Sequence, residues 1–345
     1  METMQKEIVT RSDIVDSNGL VQNPGWARND LFNYDRSRLK VSACRIKEWD
    51  FWEVFNSDYR IVMNIFDIGM AGVAQFTFTD FRTKKSENAL LLKLCTRGSV
   101  GLPKSWRYEA PVRFARGKSW MQFSRDQNTI ILEAEFPDAM KGKGIKGKAE
   151  LFVDPKTEGI VNLIPFQDPR QFVYAEKLVC LPAKGSFRIG DRQVDFSSEN
   201  HSWGGLDWTR AVFPYRNHWK WCTGAGIVEG KAVGFNIDYG FGTESSKSMI
   251  FVEGKGHHLD EVFYQHDSKH LDAPLSITSP DGRVNLTLNP IYVEKAGVDL
   301  GILAMKGIST YGHFAGTLTL DDGKVITIKE SDHLFGWAEE FIQKW

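Results

Sequence analysis

Hydrophobic and polar positions along this chain repeat with period two far more than with the period of a helix. Arg60–Phe66 (RIVMNIF), Ala74–Phe81 (AQFTFTDF), Thr129–Phe136 (TIILEAEF), Ala232–Tyr239 (AVGFNIDY), Arg283–Leu288 (RVNLTL) and Gly316–Leu320 (GTLTL) alternate or run through β-branched and aromatic residues. That is the pattern of half-buried strands. Turn formers punctuate them at Asp154-Pro155, Gly190-Asp191, Pro280-Asp281-Gly282 and Asp321-Asp322-Gly323. Many short strands at such spacing predict an all-β barrel or sandwich architecture. Only the C-terminal segment Trp337–Trp345 reads as a short helix. Met140–Lys148 (MKGKGIKGK) lacks the GxxxxGK[ST] pattern of a phosphate loop and reads as a solvated hairpin tip.

An internal echo divides the chain. Gly185–Trp208 (GSFRIGDRQVDFSSENHSWGGLDW) and Gly316–Glu339 (GTLTLDDGKVITIKESDHLFGWAE) both run Gly, strand, turn, strand, then acid, His, aromatic and Gly. Glu199, His201, Trp203 and Gly204 answer Glu330, His333, Phe335 and Gly336, with one residue inserted. Two such copies predict a pseudo-duplicated chain of two barrel-like halves. The expected division is 1–197, an N-terminal barrel with an arm, and 198–345, a C-terminal barrel with the short helix.

Composition narrows the functions. The 345 residues are enough for two cores of roughly 150–180 residues each. Lys and Arg number 43 against 44 Asp and Glu, so no positive field favours nucleic acid or an anionic membrane as a partner. No apolar run approaches the roughly 20 residues of a membrane-spanning helix, and the N-terminus has no signal-peptide pattern. Cys44, Cys95, Cys180 and Cys222 are far apart and read as buried thiols. These features favour the cytoplasm. Oligomeric state is not legible.

Candidate chemistry concentrates in Asn200–Gly226 (NHSWGGLDWTRAVFPYRNHWKWCTGAG). It places Trp203, Trp208, Trp219 and Trp221 beside His201, Asp207, Arg210, Tyr215, Arg216 and His218. Asp207 and Arg210 are near enough in sequence to pair. On a strand, Trp219 and Trp221 share one face and His218 and Lys220 the other. Such a mixture, apolar in body with a few polar points, suits an organic ligand; it equally suits a barrel floor closed by stacking and ion pairs. No metal site is expected, because His257 and His258 are adjacent and His266 and His270 lie in a polar loop. No dinucleotide fingerprint or GxSxG elbow is present, so no cofactor is expected. Gly25-Trp26-Ala27-Arg28 lies in an arm that covers a barrel mouth or packs outside. Trp49, Phe51, Trp52 and Phe55 read as core.

Gly25-Trp26-Ala27-Arg28, the block His201-Ser202-Trp203-Gly204 through Asp207-Trp208-Thr209-Arg210, and Phe213-Pro214-Tyr215-Arg216 resemble the bacterial family called domain of unknown function 2804. The resemblance extends over essentially the whole chain. That family is in turn similar to two-barrel, lipocalin-like proteins that include carotenoid 1,2-hydratases, AttH-like proteins and some fungal pericyclic cyclases. It implies two consecutive lipocalin-like (calycin-type) barrels and a hydrophobic substrate. The hydratases carry Asp-His-x-Trp-Gly, whose acid protonates an alkene. His201, Trp203 and Gly204 match, but Asn200 stands at the acid position and Glu199 one residue before it.

The reading carried forward is a cofactor-independent enzyme acting on a hydrophobic small molecule by acid catalysis in a barrel cavity, a hydratase or isomerase-type lyase. Asp207 or Glu199 would be the acid, with a pKa raised by an apolar cavity, and His201 would orient or relay the proton. Trp203, Trp208 and Trp219 would steady developing positive charge, with Trp221 and Tyr215 lining the site and Arg210 and Arg216 holding a polar end. The alternatives are a non-catalytic carrier or sensor of a lipid-like molecule, and a structural protein with filled barrels.

Overall fold

The computed structural model describes residues 6–240 and 248–344. Apart from short 3-10 turns, its regular structure is β throughout. In the arm, β1 (Ser12–Asp13) pairs in parallel with β3 (Phe32–Asn33), while β2 (Gly25–Ala27) joins the first large sheet. The first half continues with β4 (Ile46–Phe55), β5 (Tyr59–Asp67), β6 (Ala71–Asp80), β7 (Lys85–Leu94), β8 (Val112–Arg116) and β9 (Ser119–Asp126). Next come β10 (Thr129–Phe136), β11 (Ile145–Phe152), β12 (Ile160–Pro165), β13 (Phe172–Ile189), β14 (Arg192–Phe196) and β15 (Trp203–Val212). The second half holds β16 (Arg216–Val228), β17 (Lys231–Tyr239), β18 (Ser248–Val252), β19 (Lys255–Leu259) and β20 (Phe263–Tyr264). It closes with β21 (Leu275–Thr278), β22 (Val284–Asp299), β23 (Ala304–Thr319), β24 (Val325–Ile328) and β25 (Phe335–Lys344).

The two sheets repeat one plan. The first runs β7-β6-β5-β4-β15-β13-β11-β10-β9-β8, and the second β19-β18-β17-β16-β25-β23-β22-β21-β20. In each, a long strand (β13, β23) pairs at one end with a short hairpin partner (β14, β24). At its other end it pairs with the strand that follows the echoed turn (β15, β25). The echoed histidines occupy the same station, with left-handed backbone at His201 (φ 51°) and His333 (φ 50°). The echoed glycines stand where a neighbouring chain passes close. A Cβ on Gly204 would lie 2.3 Å from Leu151, and one on Gly336 2.0 Å from the Thr223 carbonyl oxygen. The first sheet curls into a nearly closed barrel, its edges joined where Arg116 donates to the Leu92 carbonyl across β8 and β7. The second forms a half-barrel.

Two details differ from the sequence expectation. The C-terminal segment is not a helix: Phe335–Lys344 is a strand, hydrogen-bonded to both β16 and β23, and Trp345 lies outside the described residues. Two open strand edges outweigh the weak helical pattern of nine residues. The crossing between sheets falls at Phe213–Tyr215, beyond the expected division at 197/198, because β15 is held by β4 and β13 of the first sheet.

Three packed layers result. Trp52, Phe76, Phe123, Phe187 and Trp208 help fill the first barrel, and Phe235, Leu286, Phe314 and Leu334 the second. Between the barrels lie Phe55, Phe81, Trp203, Trp221, Tyr311, Phe335 and Trp337. The arm ties the halves: Trp26 stacks on His258 at 4.0 Å, and Arg28 contacts Glu158 and the Gly256 carbonyl. Among the described residues no helix is long and apolar enough to cross a membrane.

Candidate functional site

Strand parity decides where the chemistry goes. On β15, Trp208 and Arg210 face into the first barrel, while Asp207 faces out toward the second half. Asp207 and Arg210 therefore do not pair. Arg210 is 0% exposed and bonds Asp50 at 2.8 Å and the carbonyls of Trp49 and Pro103. Its guanidinium also lies over Trp208, 4.0 Å from the ring centroid. Tyr108 donates to Asp50 (3.0 Å) and Tyr34 to Glu48 (2.6 Å), closing the network inside the barrel. Burial pushes the Asp50 carboxyl up, and Arg210 opposes it. These side chains occupy the interior of the first barrel.

A second set of polar groups lies between the barrels. From the first half, Lys177 on β13 meets its cross-strand neighbour Asp207 at 2.8 Å, and Arg60 on β5 meets Glu53 on β4 at 2.7 Å. From the second half, Trp219 and Trp221 on β16, Tyr311 on β23, and Trp337 and Glu339 on β25 face them. Arg60 donates to the Tyr311 hydroxyl (3.1 Å), and its guanidinium lies 4.0 Å from the Trp337 ring centroid. The Lys177 ammonium lies 4.3 Å from the centroid of Trp221, whose indole N–H donates to Asn236. Four aromatic faces and two cations thus enclose the carboxylates, the arrangement in which cation–π contacts and ion pairs reinforce one another.

Glu339 is the group set apart. Its Oε1 accepts the Trp219 indole N–H at 2.9 Å, and no cation forms an ion pair with it among the described residues. Burial pushes its carboxyl up to about 7; the Trp219 hydrogen bond, Arg60 and Lys177 pull it down, and the charge of Asp207 adds to the rise. Lys177 is lowered by burial, but Asp207 and Asp238 more than offset this and leave it above its ordinary value. One carboxyl thus carries a proton near neutrality beside another held in an ion pair, the division of labour from which acid and base roles are assigned. Asp207 keeps 14% side-chain exposure, and Trp219 and Glu339 are only part-buried, so the layer is reachable from solvent.

The sequence-nominated residues scatter over this frame. Asp207, Trp219 and Trp221 enter the layer, and Trp203 packs in its apolar part. Trp208 and Arg210 are inside the first barrel. Tyr215 is exposed at the crossing, its hydroxyl donating to the Ile302 carbonyl, and Arg216 is exposed beside it. Glu199 and His201 lie on the exposed turn before β15, with Asp207 four residues into that strand, roughly 13 Å along it. Hydrogen bonding from Ser197 lowers the Glu199 carboxyl, the reverse of the shift a catalytic acid needs. His266 bonds Glu340 and Thr310, whereas His270 is exposed beside Asp267. Glu53, Arg60, Lys177 and Glu339 escaped sequence reasoning. The available signal was a lone charge flanked by aromatics at i−2 or i+2, as in Trp337-x-Glu339-x-Phe341.

Known proteins can be set beside this geometry. A family model described as Domain of unknown function (DUF2804) matches residues 5–345. No curated protein matches the chain. Among solved structures, an AttH-like protein of Nitrosomonas europaea is 11% identical, with a TM-score of 0.47 over 85% of this chain and 91% of that one. CghA is 11% identical, with a TM-score of 0.45 over 99% and 97%. The kievitone hydratase of Nectria haematococca is 11% identical, with a TM-score of 0.44 over 86% and 88%.

Proposed function

The chain belongs to the DUF2804 family, and we propose that it is a cofactor-independent enzyme moving a proton to or from a hydrophobic small molecule in the layer between its barrels. The carrying observation is Glu339, whose carboxyl sits near 7 among Trp219, Arg60, Lys177 and Asp207. A protonated carboxyl in an apolar setting is a general acid near neutral pH. Trp221, Trp337 and Tyr311, their faces already covered by Lys177 and Arg60, would supply apolar edges for a hydrophobic substrate, and Asp207 would accept a proton in return. Acid-catalysed hydration, isomerisation and cyclisation can each use a donor carboxyl and an acceptor carboxylate so placed. In this reading Glu339 takes the acid role expected of Asp207 or Glu199, and His201 has none.

Native mass spectrometry before and after organic extraction, on protein made in a metabolite-rich host, tests the reading. A retained apolar molecule should be converted by the native chain in deuterated water with deuterium uptake. Glu339→Gln should bind it and turn it over at least ~100-fold more slowly, the size of general acid catalysis. Undiminished turnover in Glu339→Gln overturns the assignment. The second reading, a non-catalytic carrier, draws on the closed pairs Lys177–Asp207 and Arg60–Glu53. It gains if the native chain returns the molecule unchanged.

A further inference from the structure

Where β22, β23, β25 and β16 run side by side past the mouth of the half-barrel, their register collects charge on one face. Arg216 pairs with Lys344, and Lys344 with Ala304, which pairs with Asp299; one step on, His218, Ile342, Lys306 and Gly297 form the next row. The third row is Lys220, Glu340, Ile308 and Lys295. Directly paired residues of antiparallel strands share a face, as do residues two apart. This face therefore carries Arg216, Lys220, Lys295, Lys306 and Lys344 against Asp299 and Glu340, in a chain whose net charge is -1. Glu340 is taken by Lys220 (3.1 Å) and Asp299 by Lys306 (2.6 Å). Arg216, Lys295 and Lys344 have no acid at ion-pair distance among the described residues.

A groove of about 620 Å³ lies over these strands, lined by Lys220, Lys295, Lys306, Ile308, Glu340 and Ile342 among others. Beyond the basic rows, the hairpin joining β22 to β23 exposes Leu300 (67%) and Ile302 (74%). Surplus positive charge beside exposed aliphatic side chains matches a molecule with an anionic head and an apolar chain.

We propose that this groove is a binding site for an anionic amphiphile, a single apolar chain ending in a carboxylate or phosphate. Glu339 faces the other side of β25 and does not line the groove; Trp219, which donates to it, lies at the groove's edge, so the two sites adjoin but use different charged groups. The amphiphile is free in solution or presented by a bilayer, and the test separates the two.

The intact chain is titrated with laurate below its micelle concentration and with dodecanol, following tryptophan fluorescence and calorimetric heat. It is also sedimented with vesicles of neutral phosphatidylcholine, with and without anionic phosphatidylglycerol. Laurate should bind at least ~10-fold more tightly than dodecanol and weaken as salt rises. Lys295→Glu with Lys344→Glu should remove that preference at unchanged melting temperature, and Glu339→Gln should leave it intact. Salt-sensitive sedimentation with anionic vesicles only, lost in the same double variant, assigns the headgroup to a bilayer. Equal binding of laurate and dodecanol, or neither laurate nor anionic vesicles bound, overturns the proposal. A charge-reversed pair that still prefers laurate does so too.

Discussion

Two buried charge networks share strands β4 and β15 yet are opposites in character. Inside the first barrel, Arg210 serves Asp50 and Arg36 serves Glu48, with Tyr34 and Tyr108 hydrogen-bonded to the same carboxylates and Arg210 and Asp50 both 0% exposed. Across the same strands, Glu53, Arg60, Lys177, Asp207 and Glu339 meet between the barrels, where two cations serve three carboxyls. The inner set matches charge to partner and excludes water, and so it holds a fold. The outer set leaves one carboxyl over and admits solvent at Asp207, and so it can exchange a proton. The contrast is in the count of partners: every inner carboxylate has a cation of its own, and Glu339 has a tryptophan N–H in that place.

Breaking the inner network should cost most. Arg210→Met strands Asp50 without a cation, while Glu48 keeps Arg36, and should lower stability by about 3–5 kcal/mol in urea unfolding. A loss under ~1 kcal/mol would erase the contrast between the two networks. Next comes Glu339→Gln. Its folded pKa of about 7 lies above that of an unfolded glutamate, so its stability contribution is full below about 4.5 and is lost as pH rises through about 7. Glu339→Gln should therefore gain about 1–3 kcal/mol relative to the native chain at pH 8 and nothing at pH 4, read from melting curves.

Lys177→Met sharpens the comparison further. It removes a cation that pulls the Glu339 carboxyl down, so the pH of that stability change should move upward. The variant should lose about 1–2 kcal/mol, less than Arg210→Met because Asp207 keeps contact with water. Smallest of all, Glu199→Gln on the exposed turn should stay within ~0.5 kcal/mol and leave any turnover unchanged. His201→Gly, at a left-handed position, should be neutral or slightly stabilising. A large loss of turnover in either would return the acid to the echoed turn.

Much of the fold was legible because strand periodicity and the echoed segments are properties of local sequence. The echo located β15 and β25 at matching places, down to the close-packed Gly204 and Gly336. The crossing itself falls after that echo, at Phe213-Pro214-Tyr215, because β15 stays paired with β4 and β13, a matter of long-range register that local sequence does not carry. The site was legible only in part. Asp207 stood in a dense aromatic block, but its partner Lys177 is 30 positions away and becomes a neighbour only through register. Glu339 was hidden by reading Trp337–Trp345 as a helix. Read as a strand, the same residues put Trp337, Glu339 and Phe341 on one face.

The crossing at Phe213–Tyr215 also governs how the halves are joined. Three residues span at most about 10 Å, and the strands on either side are locked in separate sheets. The arm adds a second tether where Trp26 rests on His258. The two halves are therefore joined at two separate places, and cutting the arm while keeping the crossing intact would leave them tethered by three residues alone.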